Sequence, residues 1–195
     1  MAFGKAPEVK EIILPKLDLR EMEITVVGDS ILVVNQFTAK AKQEILDDHM
    51  KKAKKKKAAK DPQKLFEGSM YKMKGGGYGF PAIGFKSAAV SACSFVDGVT
   101  KVAARGAFHI DGELVPIQGK PTLRTDMVRI GMGKFDVRVR AEFKKWKAKI
   151  LIRFNTAILS PEQIVNLFNH AGFSVGVGEN RPGKSGNTWG MFHVE

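Results

Sequence analysis

From Lys134 to Phe154 the chain alternates. Phe135, Val137, Val139, Ala141 and Phe143 stand between Asp136, Arg138, Arg140 and Glu142. After Lys144-Lys145-Trp146-Lys147, Ala148, Ile150, Ile152 and Phe154 stand between Lys149, Leu151 and Arg153. Side chains of an extended strand point to opposite faces in turn, so a period of two commits both segments to strands. One face of each lies on a core and the other faces outward. Pairing across the turn as a hairpin would put Arg138, Arg140, Lys149 and Arg153 on one cationic face, with Asp136 and Glu142 as their acidic neighbours.

The other elements must supply the core. Glu23–Val27 and Ile31–Val34 read as short strands around Gly28-Asp29-Ser30. Residues 39–59 are rich in Ala, Lys, Gln, Glu and Leu and predict a peripheral helix, stopped at Asp61-Pro62. A glycine-rich loop follows at 74–79. Pro81 introduces an apolar run, 82–96, that reads as a buried helix. Phe108 to Val115 carries Asp111-Gly112, a hairpin signal. Residues 121–133 read as an irregular excursion carrying Arg124 and Arg129. Ser160-Pro161-Glu162 opens a helix that Gly172 is expected to end, and 189–194 form a last strand. In order these are strand, helix, strand, strand, helix, strand. The fold class is therefore α+β: a ferredoxin-like (RRM-like) βαββαβ antiparallel sheet with two helices. It carries an inserted hairpin and a lysine-rich helical insert. The expectation is one domain over 1–195, with inserts at 38–79 and 100–133.

The charge is +12 and uneven. The run 51–60 holds seven lysines, among them Lys54, Lys55 and Lys56, and no acid. Segment 134–153 holds eight basic residues against two acids. Clustered positive charge attracts polyanions, because neutralised phosphates release counterions. No apolar run reaches membrane-span length, and the start of the chain lacks a signal-peptide apolar region. The single Cys93 has no intrachain partner, and no Cys/His spacing points to a metal. A cytoplasmic location is the expectation, with no cofactor.

Gly178-Glu179-Asn180-Arg181-Pro182-Gly183-Lys184-Ser185 matches the phosphate-cradling P-loop pattern letter for letter. A working P-loop joins a strand to a following helix. Here a helix precedes the run and only ten residues follow it. The match is read as fortuitous, and the segment as a glycine-rich link from the second helix to the last strand. Arg181 and Lys184 sit among glycines whose N–H groups would form an anion nest.

Gly176-Val177-Gly178, then Arg181, Gly183, Gly186 and Gly190-Met191-Phe192, resemble the C-terminal G-loop of the RAMP superfamily, the ferredoxin-like RNA-binding proteins of CRISPR effector complexes. Phe80-Pro81-Ala82-Ile83-Gly84-Phe85-Lys86-Ser87-Ala88 is similar to that family's segment opening the first helix. The whole chain looks most like standalone, phage-encoded relatives of the effector backbone subunit. The resemblance implies a non-enzymatic binder of single-stranded DNA or RNA that self-assembles along the strand as a homo-oligomer or filament, in a bacterial host cytoplasm if phage-encoded. It implies a thumb-like hairpin, expected at 105–118 or 121–133. Phosphate contacts are expected from Lys86, Arg124, Arg129, Arg138, Arg140, Lys147, Lys149, Arg153, Arg181, Lys184 and the lysine run, with Trp146 stacking on bases. The alternatives are an endoribonuclease of the same superfamily, or an interaction or inhibitor protein reusing the fold. His49, His109, His170 and His193 show no sequence pattern of an acid–base pair.

Overall fold

The computed structural model describes residues 16–37, 39–51, 61–131 and 133–195. Its centre is the antiparallel pair of β1 (Leu19–Gly28) and β9 (Lys147–Asn155). Next to β1 lies β10 (Phe192–Val194), and next to β9 lie β5 (Phe108–Ile110) and β6 (Leu114–Gln118). Helix α3 (Ala82–Ala92) connects β1 to β5, and α5 (Pro161–Ser174) connects β9 to β10. Reduced to these elements the sheet has the order 4-1-3-2, which is the expected ferredoxin-like α+β fold. Beyond β6 the sheet continues through β4 (Tyr78–Pro81) and β3 (Tyr71–Lys72). The remaining helices are α1 (Ala39–His49), α2 (Pro62–Gly68), α4 (Lys101–Ala107) and the single turn α6 (Pro182–Ser185). Among the described residues no helix is long and apolar enough to cross a membrane.

Alternation builds the core as expected along β1 and β9. Ile24, Val26, Ala148, Ile150, Ile152 and Phe154 are buried beneath α3 and α5. The small residues Ala88, Ala89 and Ala92 let α3 sit close. Phe85 packs edge-on to Phe80 at 5.6 Å and to Phe192 at 5.8 Å between ring centroids. Each fully buried phenylalanine contributes roughly 1.5–3 kcal/mol of transfer free energy. Helix α5 begins with a complete capping box between Ser160 and Gln163. It does not end at Gly172 but runs to Ser174. Gly172 instead faces Phe192, whose carbonyl oxygen any Cβ there would overlap.

Three expectations are corrected. First, Phe108 to Val115 is not a hairpin. Phe108 pairs with Phe154 and Ile117 with Ala148, so β5 and β6 run along β9 in one direction. The Asp111-Gly112 signal marks a bulge in a single strand, with Gly112 at φ +79° and the Asp111 N–H donating to the Leu151 carbonyl at 3.0 Å. Second, residues 121–130 are not irregular. They form strand β7 (Pro121–Ile130), paired over its length with β8 (Lys134–Phe143). The insert expected over 100–133 therefore divides into α4, a core strand and the first arm of a hairpin spanning 121–143. Third, β8 does not pair with β9. It pairs with β7 and with β2 (Leu32–Val34), forming a separate three-stranded sheet. The insert expected over 38–79 holds α1, α2, β3 and the glycine-rich turn at 73–77.

The two sheets meet where β10 begins. Gly190 adopts φ +69°, and its N–H donates to Ile31 at 2.8 Å while its carbonyl accepts from Val177 at 2.9 Å. A Cβ at Gly190 would overlap the Val177 carbonyl oxygen, whereas at Gly186, also at φ +68°, it would meet nothing within 4 Å. Gly186→Ala is expected to lower the unfolding free energy by about 1 kcal/mol from left-handed backbone alone. Gly190→Ala adds a backbone collision and is expected to lower it by roughly 3 kcal/mol or more. Urea denaturation of both variants checks the difference.

Candidate nucleic-acid interface

Helix α3 turns Phe85 and its alanines inward and leaves Gly84, Ser87 and Ser91 at i, i+3 and i+7 on another face. Gly84 lies against Phe80, whose ring would stand 2.5 Å from a Cβ there. Opposite this flat face runs the glycine loop. Between them is a cleft of about 280 Å³, lined by Asn35, Tyr71, Phe80, Ile83, Ser87, Ser91, Val177, Glu179 and Arg181 among others. Ile83 is an exposed apolar wall. Burial, and after it the charge of Glu179, raises the Tyr71 hydroxyl above its ordinary pKa.

The loop is held by its own N–H groups. Gly176 donates to Ala171, Val177 to Gly190, Glu179 to Val33 and Gly183 to Val175, at 2.8–2.9 Å. The anion nest expected from Gly176, Gly178, Gly183, Gly186 and Gly190 is thus largely taken up by protein carbonyls. Gly178, at φ +82°, is a glycine because β2 passes so close; its Cβ would stand 2.6 Å from the Val33 oxygen. Among the described residues, the N–H groups of Gly178, Asn180 and Arg181 have no protein acceptor. The Arg181 guanidinium donates once, to the Gly178 carbonyl at 3.1 Å, and has no ion-pair partner among the described residues. Lys184 lies in the exposed turn α6, and neither it nor Gly183 or Gly186 lines the cleft.

The hairpin of β7 and β8 adjoins the cleft through β2, which pairs with β8 and leads directly to Asn35. Its two faces differ. At the base of one, Arg124 stands opposite Arg140. Like charges so placed repel, and Asp126 and Glu142 offset them. Arg124 donates to Asp126 and Glu142 at 2.9 Å and stacks 4.2 Å from the Trp189 ring. Burial opposes the Arg124 charge, yet the bonds to Glu142 and Asp126 outweigh it and raise the guanidinium pKa. Arg140 is 3 % exposed, with Asp126 at 3.7 Å, and its Nε and Nη1 atoms make no hydrogen bond. The opposite face exposes Met127, Phe135 and Val137. Arg129 stands beside Phe135, and Arg138 projects from the charged face. Both are exposed, with no ion-pair partner among the described residues.

The open face of the main sheet is not a cationic surface. Lys149 pairs with Glu23 at 3.0 Å, Arg153 with Glu21 at 2.9 Å and Lys147 with Glu195 at 2.8 Å. The lysine bond holds the Glu195 carboxyl below its usual range. The expected common face of Arg138, Arg140, Lys149 and Arg153 is overturned by strand pairing: the first two lie on β8 and the others on β9. Arg140 is corrected from a phosphate ligand to a buried charge. Trp146 is corrected from a stacking platform to a core residue, 2 % exposed, its indole N–H donating to Ser30 at 2.9 Å. Lys86 is half-buried, its Nζ 3.0 Å from His109 Nδ1 and its pKa lowered by burial. Lys54, Lys55 and Lys56 lie outside the described residues.

Asn35, Tyr71, Ser87, Ser91 and Glu179 are cleft residues that sequence reasoning missed. The one available signal was Gly84, Ser87 and Ser91 at helical spacing in an otherwise apolar run. Asp29 was also missed as the partner of His193, 2.6 Å away across 164 positions of chain.

No family model matches the sequence, and no curated protein matches it. Among solved structures, Cmr6 from Pyrococcus furiosus is similar in fold, with a TM-score of 0.49 and 11 % identity. The similarity covers 92 % of this chain and 100 % of that one. At that TM-score and identity, nothing of that protein's function transfers to this chain.

The Arg124–Asp126–Arg140–Glu142 cluster predicts a sharp contrast on one strand. Arg140→Ala removes the second cation beside Asp126 and empties a buried site, while Arg124 keeps both carboxylates paired, and is expected to lower stability by about 2 kcal/mol. Arg138→Ala, two residues away and exposed, is expected to change it by less than about 0.5 kcal/mol. Chemical denaturation checks both.

Proposed function

We propose that the chain is a non-enzymatic binder of single-stranded nucleic acid, related to the RAMP superfamily that its G-loop and first-helix residues resemble. The observation that carries the reading is the hairpin. Its outer part carries exposed Met127, Phe135 and Val137 with Arg129 on one face and exposed Arg138 on the other, neither cation having an ion-pair partner among the described residues. Single strands are held by that pairing: apolar and aromatic surface for base faces, cations for phosphates. The cleft extends the path, with Arg181 and the acceptor-free N–H groups beside it for a phosphate. Open-sheet Lys147, Lys149 and Arg153 contribute little, because each already faces a carboxylate. Copies of the chain assemble along the strand.

A nuclease reading has one observation in its favour, the Lys86–His109 contact, in which burial lowers the lysine pKa. An amine and an imidazole in contact can share a proton. Neither residue lines the cleft. Discrete products from labelled RNA, with or without magnesium, would replace the binding reading with this one.

Fluorescence anisotropy is expected to show sub-micromolar binding to a short single strand at low salt. Replacing Arg129 and Arg138 with Ala together is expected to flatten the slope of log affinity against log salt by about 2, one for each phosphate left without its cation. Phe135→Ala is expected to cost about 1 kcal/mol of binding, the lower end for a stacked base. A larger loss from deleting 51–60 than from the arginine pair places the site on the lysine run. Electron micrographs with and without single-stranded DNA check the assembly.

A further inference from the structure

Glu179 is the sole acid among the described residues that line the cleft. It is half-buried, and its carboxylate has no hydrogen-bond or ion-pair partner among the described residues. Its backbone is fixed on both sides. The Glu179 N–H is bonded to Val33 at 2.9 Å, Gly178 packs against the same carbonyl, and Asn180 adopts φ +49°. The carboxylate is therefore presented from a rigid turn into a space with apolar walls at Ile83, Phe80 and Val177. That space, about 280 Å³, falls just below the range of roughly 300–1,000 Å³ typical of small-molecule sites. It suits one flat ring system rather than a whole cofactor.

An unpaired carboxylate in a groove for a polyanion is repulsive unless it meets donors. An ionised carboxylate is acceptor-only, with two oxygens side by side. Among the nucleobases, guanine presents two parallel donors on one edge, its N1–H and its N2 amine. Adenine and cytosine present one amine beside a ring-nitrogen acceptor, whose lone pair would face a carboxylate oxygen. Uracil and thymine present one N–H between two carbonyls, which are repelled as well. We propose, resting on the strand-binding reading above, that the cleft takes a single guanine base of the bound strand, its N1–H and N2 amine donating to Glu179. Arg181, tied to the Gly178 carbonyl at 3.1 Å, keeps its remaining N–H groups for the phosphate of the same nucleotide. Asn35, Ser87 and Ser91 line the polar side of the space.

The test uses the full chain and oligothymidylate strands carrying one central guanine, adenine or hypoxanthine, with their RNA equivalents. Guanine is expected to bind about tenfold tighter than adenine, within the range a bidentate base contact gives. Hypoxanthine, which keeps N1–H and lacks the amine, is expected to fall between. Glu179→Ala removes no side-chain hydrogen bond or ion pair made by the described residues and keeps the backbone bond to Val33. It is expected to abolish the difference between guanine and adenine strands. Equal affinity for all strands, or a guanine preference that survives in Glu179→Ala, overturns the inference and leaves strand binding intact. No binding to any strand overturns the strand reading. Guanosine monophosphate is then the discriminating probe: binding that depends on Glu179 retains a guanine site without a strand, and its absence overturns both.

Discussion

The indole of Trp146 lies against the backbone of Gly28, so close that any Cβ at position 28 would overlap the ring. Its N–H donates to Ser30, and its carbonyl accepts from the Gly28 N–H at 2.9 Å. Around this contact three distant pieces of chain close: the exit of β1, the turn between β8 and β9, and the start of β10. Met191 donates to the Ser30 hydroxyl oxygen, and the Asp29 N–H to the Met191 carbonyl. The β1 exit then feeds β2 into the second sheet, so the position of the hairpin, and of Asn35 at the cleft, follows from how Trp146 is seated. Aromatic packing carries the same junction into the core, with Trp146 6.2 Å from Phe192 between ring centroids.

The charge excess is handled differently in each region. On the main sheet, the basic residues of β9 stand beside the acids of β1, and exposed pairs of this kind are worth only about 0–1 kcal/mol each. Their larger effect is to cancel a field that would otherwise draw phosphates there. At the hairpin base, two arginines and two acids are enclosed together, and losing either sign leaves the other buried. Farther out, Arg129 and Arg138 make no ion pair among the described residues, although Asp126 stands across the hairpin from Arg138, and both remain available to an external anion. Which arginines can bind is thus decided by which carboxylates the fold brings up.

The glycine loop shows how one set of residues serves a purpose other than the one its spelling suggests. The run from Gly178 to Ser185 spells a phosphate loop, yet its two glycines admit β2 and Val175, and its N–H groups mostly brace the loop. What remains open is a short stretch at Gly178, Asn180 and Arg181. Alternation in β7 was illegible for a related reason. Met127 and Val128 are adjacent, and away from the body of the protein neither face of a strand is obliged to be apolar, so no period of two is enforced.

The local patterns of this chain determined the strands β1, β2, β8, β9 and β10, its two packed helices, the helix start at Ser160 and the α+β order, because periodicity and caps act over a few residues. They determined a cationic chain with a glycine-rich connection before its last strand. Pairing partners were settled only in three dimensions. β8 left β9 for β7 and β2, an Asp-Gly pair became a bulge, and Glu21 and Glu23 came to lie beside Arg153 and Lys149. Burial of Arg140 and Trp146, and the meeting of Glu179 with Tyr71 and Ser87, arise from contacts between residues far apart in the chain, for which local sequence carries no signal.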